Sequence, residues 1–200
     1  MIYSDKQLIA QHFSDHIATF NTFISPINQE TIETLLWKKK DNTTFSHIWY
    51  HAHHGKLFVS GDLGEATYIW YENVSLKWIS GLALSYFKSK CQASESGLGY
   101  LWHEWDENTA IEQIKQYFID NYDPDDPINW EDFCYDNGEY YLSSQEEWNH
   151  WLEDNAEKFF GQDYWEFAHA FGQITPIRCR LHLLGLQCAF NTLEDQTKQT

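Results

Sequence analysis

A chain of 200 residues, 42% hydrophobic and 18% aromatic, can bury a substantial core, which excludes a disordered protein. Its formal charge of −17 repels nucleic acid, so direct DNA or RNA binding is not expected. No apolar run approaches the roughly 20 residues of a membrane span, and Met1–Lys6 leads into a polar amphipathic pattern rather than a secretory signal.

In chain order, Ser4 is placed to cap a first helix. Leu8, Ile9, Phe13, Ile17 and Phe20 recur at three- and four-residue spacing, so the helix is expected to run to about Phe23, before Ser25-Pro26. Residues 29–40 suit a short helix or a strand. Phe45–His53 alternates as a strand with Phe45, His47, Trp49, His51 and His53 on one face. After His54-Gly55 the runs Lys56–Ser60 and Ala66–Tyr71 flank a Gly61-Asp62-Leu63-Gly64 turn, whose glycines make positive φ cheap. These segments predict a small antiparallel sheet of three to four strands over about residues 45–71.

Ser75 caps a helix predicted over Leu76–Cys91. Ser94–Gly99 is a loop, and Tyr100–Trp105 suits a short strand. A helix over Asn108–Tyr122 ends at the proline-rich segment 123–127. Ser143 or Ser144 opens another helix to about Phe160, with Glu147 at capping-box spacing from Ser144. A short helix from Asp163 and a buried terminal helix over Ile177–Leu193 complete the chain, and Glu194–Thr200 is a polar tail. The order predicts one α+β domain over residues 1–200, with a helical, acidic C-terminal half over about residues 104–193.

The charge is concentrated. Between Glu104 and Glu166 there are 19 Asp/Glu and only two basic residues, Lys115 and Lys158, leaving the rest of the chain balanced. Trp102, Trp105, Trp130, Trp148, Trp151 and Trp165 interleave with these carboxylates. Any that are exposed would be aromatic anchors ringed by negative charge, suited to a basic protein partner. The candidate contacts are Asp123, Asp125, Asp126, Glu131, Asp132, Asp136, Glu146 and Glu147.

The densest histidine cluster is His51-Ala52-His53-His54. His51 and His53 share a strand face, and with Asp62 and Glu65 they form the alternative site, a metal centre for a hydrolase or nuclease. Asp62 follows an apolar run, as in calcineurin-like metallophosphatases. That family's Asp-x-His and Gly-Asn-His-Asp/Glu motifs are absent, so Asp62 is expected to bond backbone N–H groups of its turn. Cys91, Ser94 and His103 carry no nucleophile signature. No Walker loop, GxGxxG or EF-hand loop is present, and no cofactor is expected. Cys91, Cys134, Cys179 and Cys188 form no CxxC pair and suit reduced thiols in a cytoplasmic protein.

The segment Leu57–Trp70, with its Gly61-Asp62, Gly64-Glu65-Ala66, Tyr68 and Trp70, together with Tyr86-Phe87-Lys88-Ser89-Lys90-Cys91-Gln92-Ala93-Ser94, resembles a family of small phage- and prophage-encoded accessory proteins. The resemblance covers about forty residues and brings no catalytic residues with it. It implies a mobile-element setting inside a bacterial host, where small acidic proteins inhibit CRISPR effectors and restriction enzymes by imitating phosphate in basic channels. The expectation is a non-enzymatic, anti-CRISPR-like DNA mimic that binds a basic host protein in the cytoplasm. Exposed aromatics also leave room for a dimer.

Overall fold

The computed structural model describes residues 4–41, 47–94, 97–98, 103–122, 130–135 and 138–198. They fall into two compact units, Met1–Trp102 with Thr175–Thr200, and His103–Ile174. Each has its own apolar cluster. The terminal helix, Ile177–Lys198, belongs to the first unit.

The first unit opens as its cap dictates. The Ser4 hydroxyl accepts the Gln7 N–H, Gln7 Oε1 accepts the Ser4 N–H at 2.8 Å, and helix α1 runs over Asp5–Phe13. It does not continue to Phe23. Strand β1 (His16–Ile24) pairs with β2 (Thr31–Lys39) from His16↔Lys39 to Ile24↔Thr31. Ile17, Thr19, Thr22 and Ile24 are β-branched and favour a pleated backbone, and the helical spacing of Phe13, Ile17 and Phe20 does not outweigh that pairing.

Strands β3 (His47–His53), β4 (Lys56–Gly61), β5 (Ala66–Ile69), β6 (Cys91–Ser94) and β7 (Gly97–Leu98) extend the sheet in the order β1 to β7, every neighbouring pair antiparallel. The structure is α+β, but the expected sheet of three to four strands is corrected. Six strands of four to nine residues and a two-residue seventh form the sheet, drawn from well outside residues 45–71. In the turn before β5, Gly61 and Gly64 have φ of 127° and 85°, conformations that side chains with a Cβ rarely adopt.

Leu35, Trp37, Ile48, Tyr50, Leu57, Val59 and Tyr68 point to one face of the sheet and are buried with α1 and the helices α2 (Leu76–Ser80), α3 (Leu84–Ser89) and α7 (Ile177–Lys198). The single helix expected over Leu76–Cys91 is split, because α2 ends at the Gly81 cap and Cys91 begins β6. The terminal helix runs on through Glu194 to Lys198.

Gly185 on α7 packs against that sheet face, and a Cβ there would meet the Tyr50 hydroxyl at 2.5 Å. Alanine gains about 1 kcal/mol in helix propensity. Tyr50, however, is fully buried and donates to the His182 carbonyl at 2.9 Å, so its ring cannot yield cheaply. Gly185→Ala is expected to lower unfolding stability by a net ~1–2 kcal/mol in urea titrations. A stabilised variant would show that the Tyr50 contact relaxes freely.

The second unit is helical. A two-strand ribbon, β8 (Glu104–Trp105) with β9 (Gln173–Ile174), closes its ends. Between them lie α4 (Glu107–Asn121), α5 (Trp130–Tyr135), a 3-10 helix over Gly138–Ser143, α6 (Gln145–Phe160) and two short 3-10 turns. The Asp106 carboxylate accepts the Thr109 N–H at 2.8 Å and caps α4. Ser144 accepts the Glu147 N–H at 3.2 Å and caps α6. Phe118, Phe133, Trp148, Trp151, Phe159 and Phe160 fill the core between these helices. Among the described residues, no helix is long and apolar enough to cross a membrane.

Candidate functional site

The outer face of α6 carries the clearest functional pattern. Trp148, Trp151, Leu152, Ala156, Phe159 and Phe160 face the core, which turns Glu146, His150, Glu153 and Glu157 outward at alternating steps of four and three residues. All four are exposed, and His150 Nδ1 lies 3.8 Å from Glu153 Oε2. Glu146, Glu147, His150 and Glu153 border an open depression that also includes Tyr141 and Asn149. The result is an anionic stripe with amide and phenol groups alongside it.

Of the contacts predicted from sequence, Glu146 belongs to this stripe. Glu147 is exposed, but its carboxylate also takes bonds from the Ser143 and Ser144 hydroxyls, so it is partly engaged in closing the helix start. Glu131 is exposed on α5. Asp123, Asp125, Asp126 and Asp136 lie outside the described residues, as does the side chain of Asp132. Glu153 and Glu157 were not singled out by sequence, although their seven- and eleven-residue spacing from Glu146 places them on the same helical face.

The tryptophans divide sharply. Trp148 and Trp151 are core, and Trp148 Nε1 donates to the Ala168 carbonyl at 2.9 Å. Trp105 Nε1 donates to the Leu142 carbonyl at 2.8 Å. Trp130 is half-buried beneath the Lys115 ammonium, 4.6 Å from its ring centre. Trp165, 63% exposed, is the one left as an outward anchor among those described in this unit, and Trp102 lies outside the described residues. Asp106 is occupied as a cap, and the Thr109 hydroxyl and N–H hold its carboxyl below the usual range.

The alternative metal centre does not assemble. Among the described residues, no three His, Cys, Asp or Glu side chains are placed to hold an ion. His51 stacks on Trp49 with ring centres 5.6 Å apart. Asp62 accepts the His47 backbone N–H at 2.8 Å and lies 3.0 Å from His47 Nδ1, so it ties its turn to the start of β3. Glu65 is exposed at the entry to β5. His53 and His54 converge instead on Glu30, at 2.9 and 3.0 Å. Partial burial pushes the Glu30 carboxyl up, but His54 and His53 outweigh it and the group titrates below its ordinary value. Cys91 is buried and its thiol is pushed up to about 11, so it is a poor nucleophile.

Sequence reading also missed a buried polar network. His182 on α7 is fully buried, with Nδ1 3.0 Å from the Tyr68 hydroxyl and Nε2 3.0 Å from the Leu63 carbonyl. Since Nε2 faces a carbonyl it carries the proton, and Nδ1 accepts from Tyr68. No spacing marks this histidine, because its partners come from the hairpin turn and β5. Comparison with known proteins found no match to this chain among family models, curated proteins or solved structures.

Proposed function

We propose that this chain is a non-enzymatic accessory protein of a phage or other mobile element. It binds and inhibits a basic protein of the bacterial host, such as a CRISPR effector or another defence nuclease. The carrying observation is the outward stripe Glu146, Glu153 and Glu157 on α6, in a unit with 19 Asp/Glu against two Lys. Carboxylates held at helical spacing on a packed scaffold spare a cationic partner the cost of ordering the backbone that carries them. The mobile-element setting comes from the resemblance of the hairpin and α3 segments, and it places the encounter in the host cytoplasm. The metal-dependent hydrolase has no geometric support in the residues proposed for it.

The test is the salt dependence of binding to a purified effector nuclease, read by calorimetry. Raising salt from about 0.05 to 0.5 M is expected to weaken the complex at least ~10-fold, because the Debye length shrinks to a few ångströms. The double variant Glu153→Lys, Glu157→Lys should weaken it by a similar factor at low salt while leaving stability within about 0.5 kcal/mol, since both side chains are exposed and lie beyond the first turn of the helix. Equal affinity at both salt concentrations would end this reading.

A further inference from the structure

A second site lies in the first unit, where the chain leaves β5 and enters α2 and α3. Trp70, Trp78, Tyr86 and Lys90 line a cavity of about 620 Å³, with Glu72 and Asn73 at its edge. Its walls are fixed by the local fold. Trp70 continues β5, donating its N–H to the Gly55 carbonyl at 2.7 Å, and is 5% exposed. Ser75 caps α2 by accepting the Trp78 N–H at 3.1 Å, which sets Trp78 one turn into the helix and 47% exposed. Phe87 stacks on Tyr68 with centres 4.2 Å apart, which anchors α3 and turns Tyr86 outward, 43% exposed. The Lys90 carbonyl accepts the Ile69 N–H at 2.9 Å, so the root of that side chain is fixed to β5 as well.

Three features say what this cavity takes. The Trp70 and Trp78 rings stand at 87° with centres 6.4 Å apart, forming a corner suited to a compact, rounded group rather than a parallel slot for a flat base. One cation is already there, because the Lys90 ammonium sits 4.7 Å from the centre of the Tyr86 ring. The rim carries a carboxylate that a cation can use: Glu72 is exposed among the lining residues.

We propose that this aromatic corner binds a quaternary ammonium group, with the Lys90 ammonium as the resident cation that such a ligand displaces. A trimethylammonium is larger, softer and less strongly hydrated than a lysine ammonium. It gives up less hydration energy on entering and touches more ring surface. This site is independent of the acidic face of α6, and either can fail without the other.

The experiment follows the indole N–H resonances of the intact protein during titration with choline and with its neutral carbon isostere, 3,3-dimethylbutan-1-ol. Choline is expected to bind roughly 10-fold more tightly than the isostere. Trp78→Ala should weaken choline by about the same factor, and Lys90→Met should strengthen it several-fold by removing the competitor. Both side chains are at the surface or rim, and an unchanged amide spectrum elsewhere shows that each variant folds. Phosphocholine and Nε-trimethyl-lysine, titrated in parallel, separate a headgroup ligand from a methylated side chain. Equal affinity for choline and its isostere would overturn the proposal, leaving a merely greasy corner. So would the absence of any indole shift in both the wild type and Lys90→Met with choline in the tens of millimolar.

Discussion

Replacing Trp148 by alanine is expected to loosen the whole of the second unit. Trp148 is fully buried, stacks on Trp151 with centres 5.2 Å apart at 14°, meets Phe160 edge-on at 5.9 Å, and spends its indole N–H on the Ala168 carbonyl. Truncation removes that area, opens a cavity among rigid rings that cannot collapse far, and leaves the carbonyl without its donor. Losses of about 3–5 kcal/mol are usual for buried Trp→Ala. Amide hydrogen exchange in α4 and α6 should accelerate by roughly 10²- to 10³-fold. Since α6 carries the anionic stripe, the variant should also lose binding to a basic partner. Unchanged protection in α4 and α6 would mean that the aromatic core does not hold those helices.

The second large effect is on acid stability. Burial pushes the His182 imidazole down to about 4 from an ordinary value of 6.5; the positive Arg178 nearby adds to the shift, and the bond to the Leu63 carbonyl opposes it. Between these two values the unfolded chain binds more protons than the folded one. This contribution to stability is therefore complete above about pH 6.5 and is lost as the pH falls towards 4, by ~3 kcal/mol in all. His182→Gln removes the titrating group and keeps one donor and one acceptor. It should be less stable than the wild type at pH 7, and its stability should depend less on pH between 6.5 and 4. Urea unfolding of both proteins at pH 7, 5.5 and 4 tests this: the gap between them should shrink by ~3 kcal/mol. Parallel profiles would show that His182 is not held neutral in the fold.

Helix starts were legible because capping is a local matter. Ser4, Ser75 and Ser144 each cap the helix that follows, through bonds spanning three residues. The inward faces of α4 and α6 were legible for a related reason: a 3.6-residue period with Ile114 and Phe118, or Trp148, Trp151 and Phe159, on one side has one way to be buried. The β3–β4–β5 meander was legible from its alternation and turn glycines. The anionic stripe was half legible. The excess of carboxylates is plain in the composition, but which of them stand clear depends on caps, as at Glu147 and Asp106, that only the fold displays.

The extent of the sheet was not legible, and the strands outside the central meander show why. In β1 the buried positions are sparse, and Phe13, Ile17 and Phe20 match a helical period as well as His16, Ala18 and Phe20 match a strand. Cys91–Ser94 is a strand because Tyr68 and Thr67 stand beside it, across a register shift, after two intervening helices. Pairings of this kind join segments far apart in the chain, and a short window of residues contains one partner only. The same limit applied to function. The histidines looked like a ligand set when read along β3, yet in the fold His47 answers to Asp62, while His53 and His54 answer to Glu30.

By itself the sequence determined the local quantities: where helices begin, which faces are apolar, how acidic the second unit is, and that an aromatic core would form. Each is set by residues within a turn or two of one another, or by a sum over the chain. Tertiary structure alone decided which segments become edge strands, which polar groups find partners, and which aromatic rings face water. Those outcomes depend on neighbours from other parts of the chain, whose free energies exceed the small local preferences they overrule.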